Sequence, residues 1–166
     1  MPNLSHETIS IIFWSLMVVA LVLIIAGSNN KIVVFYNGLD MRLSFGSGLS
    51  LFICHALLDS TRPNYLWALF FGAIGLSLAL ISVVAAIRHN RSIFLGLLVG
   101  IFKLAFSFFA VLSIFSQLST AIDEKSSRNE AIGALAMAAL IGLIAAKLIN
   151  GEQVYLEKGW PLPELS

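Results

Sequence analysis

Residues 92–120 read SIFLGLLVGIFKLAFSFFAVLSIFSQLST, a long apolar run interrupted by one charge, Lys103. A bilayer core about 30 Å thick needs about 20 apolar helical residues to cross it. Residues 9–27, 65–87 and 131–149 qualify in the same way. Backbone inside lipid must satisfy its own hydrogen bonds, so each run is read as a helix. The expectation is an all-α integral membrane protein: one membrane domain over residues 1–166, built as a four-helix transmembrane bundle in contact with the lipid bilayer.

Composition agrees. The chain is 58% hydrophobic and 11% charged, against about 25% charged in soluble domains. This excludes an ordinary cytosolic domain and a disordered chain. The lone cysteine, Cys54, excludes an internal disulfide, and a net charge of +1 gives no electrostatic ground for direct nucleic-acid binding. Residues 1–8 hold no Lys or Arg, so the first run reads as an uncleaved helix rather than a signal peptide. Ser127 with Glu130 forms a capping-box pattern before the fourth run, Pro63 precedes the second, and Asn150-Gly151 is read as closing the fourth.

Between the first two spans, Lys31-Ile-Val-Val-Phe-Tyr36 and Leu39-Asp-Met-Arg-Leu-Ser-Phe45 flank Asn37-Gly38. Asn-Gly between β-prone runs is a strong type I′ turn signal, and the spacing predicts a β-hairpin over 31–45. Residues 46–58 are apolar but short for a crossing. They are expected to form an interfacial or re-entrant segment, a fifth span being the other reading. Lys and Arg favour cytoplasmic loops, which places the Arg88-His89-Asn90-Arg91 loop and the tail 150–166 inside. With four spans the N-terminus is also cytoplasmic and the hairpin faces outward; a fifth span reverses both.

Membrane helices associate through small residues. Gly72, Gly75, Ala79, Ser82 and Ala86 share one face of the second span. Gly96, Gly100, Lys103, Ser107 and Ala110 share one face of the third, and Ala131, Ala134, Ala138, Gly142 and Ala145 one face of the fourth. The reading is a tight core of these three spans with the first outside it. A Lys at mid-helix costs about 2.5–3.5 kcal/mol to insert, so Lys103 asks for a partner. No acid lies in the four spans. Asp59, backbone carbonyls near Gly100, another protein, or snorkelling remain as options.

Little points to chemistry. His6, His55 and His89 with one Cys make no recognisable metal or haem site, and no nucleophile or phosphate-loop motif is present. No enzyme activity, metal or cofactor is expected. His55 and Asp59, four apart, form a possible pair. Arg88 and Arg91, with Trp160 and Leu162 in the Trp-Pro-Leu-Pro tail, form a candidate cytoplasmic surface for a protein partner. The leading functional expectation is a non-enzymatic, homo-oligomeric subunit of a cell inner membrane that scaffolds or senses there and holds a cytosolic protein. Small bacterial membrane subunits of envelope and anti-phage defence complexes are the analogy. An anion channel or small transporter lined by Lys103, and an immunity protein against a pore-forming toxin, are the alternatives.

Overall fold

The computed structural model describes residues 6–28, 32–90, 92–122 and 127–159. The helices are α1 (His6–Ser28), α2 (Gly38–Asp59), α3 (Tyr65–Asn90), α4 (Ile93–Ile122), α5 (Arg128–Lys147) and the short α6 (Gly151–Glu157). Four of them, α2 to α5, are long and apolar enough to cross a membrane, as in a multi-pass membrane protein. The all-α bundle is legible in the sequence; its membership is not, because α2 takes the place expected for a hairpin and an interfacial segment. No β-strand occurs among the described residues. An isolated parallel bridge between Phe35 and Ile149 is the extent of β pairing there.

The hairpin fails at its turn. A type I′ turn needs positive φ at both central residues, and Asn37 has φ −148° and ψ −176°. Asn is also among the strongest N-caps. Here its side chain accepts hydrogen bonds from the backbone N–H groups of Leu39 and Asp40, starting α2 at Gly38. Helical spacing then decides the segment. Asp40, Ser44, Ser47 and Gly48 fall on one buried face of α2, and residues 46–58 continue that helix instead of forming a separate interfacial piece.

α2, α3 and α4 form the tightest trio. Ser44 and Ser82 hydroxyls share a 2.6 Å hydrogen bond, and Ser47 donates to the Gly75 carbonyl. These contacts set α2 antiparallel to α3. Gly96 and Gly100 bring α4 against Ile87 and Val83 of α3, also antiparallel. Gly48 abuts the backbone of Ser107, where an added Cβ would stand 2.8 Å from the carbonyl, so α2 and α4 run parallel. α5 packs on α4 through Ala134, Ile141, Ile144 and Ala145. α1 sits at the periphery, touching α4 and α5 and burying Met17 and Ala20.

The remaining seam residues divide. Ala79, Ser82 and Ala86 are buried, Gly72 is half-buried near Cys54, and Ala138 is half-buried. Gly142 faces outward, and a Cβ added there would meet nothing within 4 Å. The buried face of α5 includes Ile141 and Ile144 beside Ala134 and Ala145, in place of Gly142. The Ser127–Glu130 capping box forms as expected. Asn150-Gly151 does not close α5, which ends at Lys147 with Leu148 as cap; Asn150 starts α6.

The trio yields a packing prediction. Gly48→Val should destabilise the protein by about 1–3 kcal/mol, as overpacking does, while Gly142→Val should change little. Thermal melting of both variants in mild detergent checks this; equal effects would place the close contact elsewhere.

Candidate functional site

The site begins at the start of α2. Asn37 caps the helix and puts Asp40 in its first turn, where the helix dipole favours an anion. Opposite it, Lys103 of α4 is fully buried. Helical side chains lean toward the N-terminus of their helix, which carries the Lys103 stem toward the α2 start. Its Nζ donates to Asp40 Oδ1 at 2.6 Å, with Asp40 itself 5% exposed. Nζ also lies 5.1 Å from the centre of the buried Phe35 ring, within cation–π reach. Lys103 neither snorkels nor turns to another protein; its partner is an acid of the same chain. Neither Asp59 nor a carbonyl near Gly100 plays that role.

The second carboxylate oxygen of Asp40 accepts from the Tyr36 N–H at 2.9 Å. This ties the ion pair to residues 32–36, which run extended across one end of the bundle. Buried backbone must pair its polar groups, and helix-like pairing is not open to an extended segment. Two asparagines supply the bonds. Asn90, the last residue of α3, accepts from Val33 N–H and donates to the Val33 carbonyl. Asn150 accepts from Val34 N–H and donates to the Ile32 carbonyl. Phe35 N–H donates to the Leu148 carbonyl, and the Phe35 carbonyl accepts from Asn150 and Gly151. Every N–H from Val33 to Tyr36 thereby has an acceptor.

α6 closes over this segment. Val154 and Tyr155 bury against Val33, with Tyr36 beside them. Gly151 lies so close to Tyr36 that a side chain there would collide with its backbone. Tyr36 stacks on His89 at 4.5 Å, and Tyr155 meets the Tyr36 ring edge-on at 5.3 Å. Burial, with Glu152 and Tyr155 nearby, raises the Tyr36 phenol above its ordinary range, so it stays neutral at physiological pH. A polar strip continues inward from the pair through Ser44, Ser47, Ser82 and Ser107, all fully buried. The Ser107 hydroxyl has no hydrogen-bond partner among the described residues.

Other expected site residues are not brought here. His55 and Asp59 are both exposed toward the far end of α2, with no bond between them among the described residues. Arg88 is exposed beside the 32–36 segment's end of the bundle. Arg91, Trp160 and Leu162 lie outside the described residues. Asn37 and Gly38 are a helix cap and a first helical residue, not a turn. The geometry also overturns the outward-facing hairpin: residues 32–37 lie at the same end as Arg88, the last turn of α5 and α6.

Sequence reasoning misses Asp40, Asn90 and Asn150. Asp40 carries a signal, since Asn-x-x-Asp before an apolar run is close to a helix-start pattern. The two asparagines carry none, because their partners are 57 and 116 residues away. Among the described residues no group of three or more His, Cys, Asp or Glu is placed to hold a metal ion. Comparison of the chain with protein-family models, with curated proteins and with solved structures returns no match.

Removing one member of a buried pair strands the other charge, at a cost of about 3–5 kcal/mol. Lys103→Met and Asp40→Leu should each destabilise by that order, and the double variant should recover much of the loss. A double-mutant cycle from melting in detergent reads the coupling; additive losses would show that the two residues act independently.

Proposed function

We propose that the chain is a non-enzymatic subunit of a membrane complex, whose ordered end holds a soluble partner protein. The observation that carries this reading is the closure of that end. Segment 32–36, Asn90, Asn150 and α6 form one hydrogen-bonded cap around an internally neutralised ion pair. Order of this kind suits a platform. The exposed charged groups described on it are mixed in sign, Arg42, Arg88, Lys147 and Lys158 with Glu152 and Glu157, a pattern that favours a polar protein surface over nucleic acid.

Charge also supports an orientation. The ordered end carries Arg42, Arg88, Lys147 and Lys158, and the sequence of its connections adds Lys31 and Arg91. The other end carries Arg62 and Arg128, with Lys125 in its connection. By the positive-inside rule the ordered end is cytoplasmic. α1, at 23 residues, is about 34 Å long with an apolar stretch over Ile11–Ala26 and ends at this side; taken as a fifth crossing beside the four longer apolar helices, it puts the N-terminus outside. Burial of Lys103 against Asp40 weighs against an anion path lined by Lys103, because the charge is already matched within the chain.

Two measurements test the reading. A native mass spectrum of the full chain, tagged at its N-terminus and released in mild detergent, should show an assembly containing a second protein. Arg88→Glu should remove that protein without lowering the melting temperature. A bare monomer, or retention unchanged by Arg88→Glu, would overturn the platform. For orientation, in a background with Cys54→Ser, a cysteine replacing Thr61 should react with an impermeant maleimide on intact cells. One replacing Glu157 should react only after permeabilisation, and the opposite pattern would invert the topology.

A further inference from the structure

A cleft lies between the end of α1, the end of α5 and the start of α6. Its volume is about 390 Å³, and Leu23, Ile24, Ala146, Lys147, Asn150 and Gln153 are among its walls. Pockets of about 300–1,000 Å³ accept molecules of drug size, so the space fits a headgroup with the first part of an acyl chain.

The polar groups of its lining gather at one end. Leu23 and Ile24 stand five and four residues before the end of α1, about 6–8 Å along the helix axis toward the bilayer centre. Lys147 is the last residue of α5, at the level where a spanning helix meets headgroups. Leu23 and Ile24 therefore line the hydrocarbon side, while the amine and amides stand at the headgroup side, where Val34, Leu148 and Ile149 add apolar wall beside them. Asn150 is already committed: its amide is bonded to Val34 and Ile32. Lys147 and Gln153 are exposed, and neither side chain has a hydrogen bond or ion pair among the described residues. Among the described residues Lys147 is the cation of the lining, and no acid belongs to it. Glu152 and Glu157 of α6 are nearby in sequence but outside the lining.

We infer that this cleft is a binding site for an anionic phospholipid, with Lys147 and Gln153 receiving the phosphate and Leu23 and Ile24 the start of an acyl chain. The site requires the membrane setting and stands apart from the partner-binding reading. A free phosphate would match Lys147 but would leave the apolar half of the cleft unfilled, whereas a lipid uses both halves. The site also explains a feature of the packing. α1 buries Met17 and Ala20, whereas Leu23 and Ile24, packed against the core beside the cleft, remain partly open to a lipid.

The test uses the full chain in mild detergent, titrated with phosphatidylglycerol or phosphatidylcholine and read by native mass spectrometry. Phosphatidylglycerol should be retained in preference to phosphatidylcholine. Lys147→Gln should lower phosphatidylglycerol retention by about fivefold or more, the worth of one cation at an anionic lipid surface. Arg88→Gln, which removes an exposed cation at the same end but outside the cleft, should change it less than about twofold, since solvent and salt screen a charge that does not touch the headgroup. Ala146→Phe, which fills the cleft without altering charge, should lower retention of both lipids, and melting curves verify that each variant is folded. Equal retention of the two lipids, equal effects of Lys147→Gln and Arg88→Gln, or an inert Ala146→Phe would overturn the site. Displacement of phosphatidylglycerol by millimolar inorganic phosphate would overturn its assignment to a lipid.

Discussion

The Lys103–Asp40 pair is the constraint around which one end of this protein is arranged. Two charges taken out of water cost several kcal/mol each, and attraction offsets that only when geometry is good and leftover hydrogen-bonding capacity is used. Each condition is met by a different part of the chain. The α2 dipole and the Tyr36 N–H satisfy the acid, and the Phe35 ring faces the ammonium. Asp40 must then stand at the first turn of α2, and Phe35 and Tyr36 must arrive there extended. The pair does more to specify where α2 begins than to add net stability, since a well-packed apolar replacement is often neutral.

Extended backbone covered by protein must have its polar groups paired. Residues 32–36 meet this rule through groups drawn from two distant places in the chain, with Asp40 close by. Asn90 and Asn150 act as side-chain substitutes for a strand, each offering one acceptor and one donor to the segment. A helix could not replace the segment without removing Phe35 from Lys103. An exposed loop would leave the Asp40 carboxylate without its Tyr36 donor. The α6 cover follows from the same requirement, because the Phe35 and Tyr36 carbonyls accept from Asn150, Gly151 and Glu152.

What a sequence can reveal follows from the range of the interactions. Span runs depend on composition, and α3, α4 and α5 are found within a few residues of where hydrophobicity places them. The Ser127 capping box is local and equally legible. Asn37-Gly38 misleads because one dipeptide serves two structures. As a turn it needs left-handed backbone; as a cap it needs an Asn oxygen and helical residues after it. The choice is made by Asp40, Ser44 and Ser47, whose burial depends on Ser82, Gly75 and Lys103 elsewhere. Lys103 is recognisable from its own position as needing a partner. The partner cannot be named until residues 39–45 are turned from strand to helix. Gly142 illustrates the reverse error: a small residue at the expected spacing, left outside because neighbouring isoleucines carry the contact.

The two ends of the bundle are therefore unequal in a way that bears on function. At one end α2 and α3 are joined by a short exposed turn, Ser60–Asn64, stabilised by local bonds such as Trp67 N–H to Asn64. At the other, polar side chains from α2, α3, α4 and the α5–α6 corner hold an irregular segment still. Simple membrane insertion demands nothing of the kind, because a helix-to-helix turn would connect α1 to α2 with fewer buried polar groups. Long-range hydrogen bonds of this sort hold the segment to a fixed arrangement, and a fixed arrangement matters where something must be recognised. Recognition is therefore assigned to the Asn90–Asn150 end under the proposed function. Lys103 does not belong to the recognising groups, since its charge is already answered by Asp40 within the bundle.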